Sequence, residues 1–166
     1  MIGFLAIDTD TAAFNKEVTS NLNKKIKLEP HELLVVSVRG ALATYRNNPR
    51  DYDWVPEKNI DKLSSIAGAG AGAVRSNGRF IAYYNYARIE NNIQSVITKI
   101  NQHIPQESKY TVDTNRDGIE YPVTINVFSS VAGGTGSGML VDTLCLVNKA
   151  MDALALQFDL YPWIVL

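Results

Sequence analysis

Short apolar runs, each bounded by polar or glycine-rich stretches, recur along the chain and set its expected elements. Residues 2–7 form a continuous apolar run ending in Asp8-Thr9-Asp10, the pattern of a buried strand followed by a polar loop. Residues 11–24 are loosely helical or irregular, and 25–30 predict a short strand closed by Pro30. The stretch 31–48 carries two signals. Its β-branched centre favours strand, while its length and Leu/Ala content favour helix. Prolines and aspartates mark 48–57 as a loop.

Residues 56–67 predict a helix with Pro56 near its start and Ile60, Leu63 and Ile66 on one stripe. A glycine-rich loop, 68–79, follows. The longest helical pattern spans 79–104, with Ile89, Ile93, Val96, Ile97 and Ile100 on its buried face and Pro105 ending it. A polar stretch with a turn at Asp117-Gly118 leads to a β-branched strand, 123–131. A second glycine-rich loop, an apolar helix over 139–156 and a strand over 160–166 complete the chain. Strand, loop and helix alternate without internal repeat or linker. That order predicts one α/β domain over residues 1–166, a Rossmann-like parallel sheet with helices on both faces. Both ends fall within strands, so the chain is expected to be part of a larger domain.

The second loop, Ser-Val-Ala-Gly-Gly-Thr-Gly-Ser-Gly over 130–138, sits between a strand and a helix, the arrangement that holds phosphate. Gly133, Gly134, Gly136 and Gly138 allow close backbone approach and positive φ, and Thr135 and Ser137 supply hydroxyls. A P-loop is excluded because no lysine follows until Lys149. The match of Gly68, Gly70 and Ala73 to a dinucleotide fingerprint is discounted, because a helix rather than a strand precedes it.

The loop closely resembles the phosphate-binding signature of the tubulin and FtsZ family, with Ala132 in place of its first glycine. Two further motifs follow the family's order. Gly70-Ala71-Gly72-Ala73, with Gly78-Arg79 behind it, is similar to the FtsZ loop Gly-Ala-Gly-Ala-Asn-Pro followed by Gly-Arg. The Ile7-Asp8-Thr9-Asp10 turn looks like Val-Asn-Thr-Asp in FtsZ and Val-Asp-Leu-Glu in tubulin. The chain most resembles the divergent bacterial tubulin-like proteins.

The resemblance implies a GTP/GDP site. Gly133, Gly134, Thr135, Gly136, Ser137 and Gly138 would hold the α- and β-phosphates, and Gly70, Ala71, Gly72 and Ala73 the γ-phosphate. Asp8, Thr9 and Asp10 would lie near the γ-phosphate and its Mg²⁺, Asp10 acting through water. Read without the resemblance, Asp8 and Asp10 simply end a strand and cap a helix. The implied activity is that of a self-assembling cytoskeletal GTPase, a homo-oligomer or filament when full length. The family's hydrolysis-triggering loop lies beyond residue 166, so no catalytic residue is assigned and this chain alone is expected to be inactive. The alternatives are a non-polymerising tubulin-like scaffold or nucleotide sensor, and an unrelated α/β enzyme acting on phosphate-bearing substrates.

Composition narrows the partners. With 17 acidic and 16 basic residues the net charge is -1, which offers no electrostatic case for nucleic acid or an anionic membrane. No segment has the length and apolarity of a membrane span, and the start carries no signal-peptide pattern. A single cysteine, Cys145, excludes an intrachain disulfide framework and points to a reducing, cytoplasmic setting. Cys145 lies on the apolar helix and is expected in the core. His31 and His103 are isolated from other metal-ligating residues and are expected at the surface or as caps. Tyr83, Tyr84 and Tyr86 are expected to pack along a helix rather than stack on a base.

Overall fold

The computed structural model describes residues 2–9, 18–19, 25–26, 28–36, 41–60, 71–104 and 123–166. Strand β1 (Ala6–Asp8) pairs in parallel with β4 (Leu33–Val35), in the register Ala6 with Leu33 through Asp8 with Val35. Strands β2 (Val18–Thr19) and β3 (Lys25–Ile26) form a minimal antiparallel pair. Strand β5 (Val123–Ser130) pairs in parallel with β6 (Phe158–Val165) along its whole length. The helices are α1 (Ala41–Asn47), α2 (Arg75–Tyr84), α3 (Tyr86–Asn101) and α4 (Gly134–Ala153), and residues 57–60 are also helical. The class is α/β, as the alternation predicts. Among the described residues the strands make three separate two-stranded ladders.

The ambiguous stretch 31–48 holds both of its signals in succession. Its apolar Leu33-Leu34-Val35 segment is β4, and its later Ala41–Asn47 segment is α1. Two helix boundaries differ from the sequence pattern. Helix α4 starts at Gly134, inside the glycine loop rather than after it, and α2 starts at Arg75, inside the other. The long helical pattern is also two helices. Asn85 breaks it at φ -99°, ψ 14°, and its side-chain amide donates to Ile81 O at 2.9 Å. An asparagine that bonds back to the previous turn competes with the helical ladder.

The core gathers where α2, α3 and α4 meet β4 and the loop after α1. Phe80, Ile81, Ile89, Met151, Val36 and Val55 are fully buried. Tyr52 sets its ring edge-on to Phe80, with centroids 5.2 Å apart, and Tyr45 does the same at 6.2 Å. On α3 the expected stripe holds. Ile89, Ile93 and Ile97 are buried, while Val96 and Ile100 lie against Gly3 of the N-terminal segment. Leu63 and Ile66 lie outside the described residues. Cys145 departs from expectation: it is exposed on α4, whose buried face instead carries Met139, Leu146, Val147, Ala150 and Met151.

Helix α4 ends in a Schellman turn. Leu156 N–H donates to Met151 O at 3.1 Å and Ala155 N–H to Asp152 O at 3.0 Å, with Ala155 left-handed at φ 49°. Leu156 and Met151 are both buried, which is the apolar contact that accompanies this motif.

Candidate functional site

Helix α4 opens on Gly133, its N-cap, at φ -92° and ψ 160°. Glycine has no side chain with which to cap, and the first turn carries no acidic residue. The first backbone N–H groups of a helix have no intrahelical acceptor, and the dipole leaves partial positive charge there. Ser137 Oγ turns back to donate to Gly133 O, and Ala132 N–H donates to Ser130 Oγ at 3.2 Å. The two bonds fix the loop from either side.

The four glycines serve two different purposes, and none of them has positive φ. The positive φ that glycine permits is not used at these four positions. What three of them need is the absence of a Cβ. On Gly134 that atom would lie 2.6 Å from Val74 N and 2.9 Å from Ala71 Cβ. On Gly136 it would lie 2.5 Å from Ser130 O, and on Gly138 2.4 Å from Arg75 O. Gly133 alone among them would meet nothing within 4 Å. Ala132, where the family signature has glycine, sits without a left-handed φ.

The second glycine loop arrives beside the first. Ala71 to Val74 form a tight turn, closed by Val74 N–H donating to Ala71 O at 3.2 Å. Both central residues are left-handed, Gly72 at φ 61° and Ala73 at φ 56°. Ala71 is buried against Gly134, while Gly72 and Ala73 are exposed. Helix α2 leaves this turn and crosses α4 backbone to backbone, because a Cβ on Gly78 would lie 1.9 Å from Gly134 O. Sequence reading placed Gly78 in a motif without seeing this role. The signal was present as glycine at 134 and 138, one helical turn apart on the same face.

The third segment joins through a hydroxyl pair. Thr9, just beyond β1, lies with its Oγ1 2.6 Å from Thr135 Oγ1. Thr9 N–H donates to Asp8 Oδ1, also at 2.6 Å, and Val36 N–H donates to Asp8 O at 2.8 Å. The end of β1 is thus held to β4 on one side and to the α4 N-terminus on the other.

A family model described as "Tubulin like" matches residues 1–166. The chain belongs to the tubulin-like family. No curated protein and no solved structure matches it.

In this tubulin-like chain, Asp8, Thr9, Ala71, Gly72, Ala73 and Gly133 through Gly138 come from three segments that meet at the α4 N-terminus. Gly70 and Asp10 lie outside the described residues. Arg79 engages Asp142 and Trp54. Its Nε lies 3.6 Å from Asp142 Oδ2 on α4, and its guanidinium sits 5.2 Å over the Trp54 ring, so it ties α2 to α4. Tyr83 sets its edge on Tyr52 and Trp54 while remaining exposed. His103 bonds Lys99 O through Nδ1, and His31 is exposed. Among the described residues no three His, Cys, Asp or Glu side chains converge to hold a metal, and no helix is long and apolar enough to cross a membrane.

Proposed function

We propose that this tubulin-like chain binds a guanine nucleotide at the α4 N-terminus, as the phosphate-holding part of a self-assembling GTPase. The observation that carries the reading is Gly133. It is the one glycine of the loop with open space over it, and it caps a helix of 20 residues that has no side-chain cap and no acid in its first turn. An anion placed there receives the free N–H groups and the helix dipole. Thr135 and Ser137 flank it, and the exposed apex at Gly72 and Ala73 stands beside it for a terminal phosphate.

Mg²⁺ fits this donor set as an ion held chiefly by phosphate and water. Asp8 directly precedes Thr9, whose hydroxyl meets Thr135 of the loop, and Asp10 would act through water. The cation would neutralise phosphate charge. Nucleotide between successive subunits would then govern assembly.

The test is titration of the protein with GTP and with ATP, each with Mg²⁺, beside a Gly133→Asp variant. The backbone at 133 suits any L-residue, and aspartate is a favoured N-cap, so the variant keeps its fold. Its carboxylate takes the phosphate position. GTP-selective binding that this variant abolishes is the expected result. Equal binding of ATP, binding untouched by the substitution, or no binding by the folded protein would overturn the reading. Substituting Gly134 would be uninformative, because a side chain there collides with Val74 and Ala71 whether or not a ligand binds.

A further inference from the structure

Thr9 and Thr135 are 126 positions apart in sequence, and their hydroxyl oxygens are in hydrogen-bond contact. Each hydroxyl has one proton and two lone pairs, so only one of the two can donate within the pair. With no ligand, either direction satisfies the contact. A phosphate oxygen at the head of α4 removes that freedom. It offers only lone pairs, so Thr135 must turn its proton toward the ligand, and the Thr135 oxygen is left to accept. Thr9 is the side chain in place to donate to it.

We infer that Thr9 is a positioning residue for the anion site, whose hydroxyl donates to Thr135 Oγ1 and so directs the Thr135 proton onto a bound phosphate oxygen. The inference rests on the nucleotide reading above. The relay Thr9 to Thr135 to phosphate strengthens each bond by polarising the next. It also carries ligand occupancy to the end of β1. Thr9 is fixed there by its own N–H on Asp8, and Asp8 is fixed to Val36 through the backbone. Ligand charge therefore orders the junction of β1, β4 and α4 without moving a helix.

The test is calorimetric titration of GTP and GDP, with Mg²⁺, into the protein and into Thr9→Val, Thr9→Ala, Thr9→Ser, Thr135→Val and the Thr9→Val/Thr135→Val double variant. Melting temperatures are recorded for each. Losing the orienting bond should weaken binding about 5-fold in Thr9→Val, the scale of one ordinary hydrogen bond. Thr9→Ala, which removes the hydroxyl and the γ-methyl together where valine keeps the branched shape, should match it. Thr9→Ser should restore affinity to within about 2-fold, because the donor returns. The double variant should bind no more weakly than Thr135→Val alone, since Thr9 acts only through Thr135. A merely structural role for Thr9 would lower the melting temperature and leave the two substitutions additive in binding. Wild-type binding with Thr9→Val and Thr9→Ala unaffected, or with additive losses, would overturn this inference and leave the nucleotide reading standing. No nucleotide binding by the folded protein would overturn both.

Discussion

Gly78 and Gly134 are in backbone contact: a Cβ on the first would lie 1.9 Å from the carbonyl oxygen of the second. The phosphate-loop end of α4 is therefore also the crossing point of two helices. Gly138 continues the contact, with its own absent Cβ 2.4 Å from Arg75 O and 2.5 Å from Arg79 N. Gly78→Ala and Gly138→Ala should each destabilise the fold by about 3 kcal/mol, the upper range of overpacking costs, because the colliding atoms are backbone and cannot rotate away. Urea denaturation checks this. Gly133→Ala, with open space above it, should shift the midpoint little.

Two alanines occupy left-handed backbone. Ala73 ends the tight turn at φ 56°, and Ala155 closes the Schellman turn at φ 49°. A side chain there costs roughly 1 kcal/mol against glycine. Glycine's greater freedom in the unfolded chain returns part of that gain. Ala73→Gly and Ala155→Gly should each raise stability by a few tenths to about 1 kcal/mol, read as a higher melting temperature.

Asn77, on the first turn of α2, is fully buried, and neither atom of its amide has a hydrogen-bond partner among the described residues. A polar group left unsatisfied in the interior costs about 1–3 kcal/mol. Asn77→Leu should therefore stabilise the fold. Asn77→Asp keeps the shape but buries a charge, and burial raises a carboxyl pKa. Its folded value then exceeds its unfolded one, so the variant should be strongly destabilised at neutral pH and recover as pH falls toward the ordinary aspartate range. Melting curves from pH 4 to 8, on the order of that transition, read the effect directly.

Alkaline conditions should loosen the packing by two routes of the same sign. Burial raises the Tyr52 phenol above its ordinary value of 10.0, with Tyr83, Asp51 and Tyr84 adding to the shift. The hydrogen bond and charge of Glu90 raise Lys149 above its ordinary 10.5. A raised folded pKa means that the stabilising contribution is complete below the unfolded value and is lost as pH rises through the folded one. Melting temperature should thus decline from about pH 10 upward. Tyr52→Phe, which keeps the ring contacts to Phe80 and Tyr45, should flatten the decline.

The strand, loop and helix around residues 123–153 were legible because a β-branched run, a glycine cluster and an apolar run follow one another in the sequence. The starts of α2 and α4 were not, since both helices begin inside glycine-rich segments and glycine is the weakest ordinary helix former. Tertiary contact overrides that propensity here, as the glycines are what let α2 and α4 touch. The break at Asn85 was hidden because Ile81 and Ile89 are both buried, so the apolar period runs through it. The site residues were found by motif, but their division of labour was not. Sequence treats Gly133 and Gly134 alike, and only the surroundings of each show that one faces open space and the other faces Val74.

The crossing of α2 and α4 also changes how relatives of this chain should be compared. Glycine at 134 and 138 is demanded by packing against α2 and its turn, and at 136 by packing against β5, so a lineage that ceased to use nucleotide would still be held to those three letters. A surviving glycine signature is then a record of architecture, and says little about activity. Position 133, free of that demand, is where loss of the ligand would first be written.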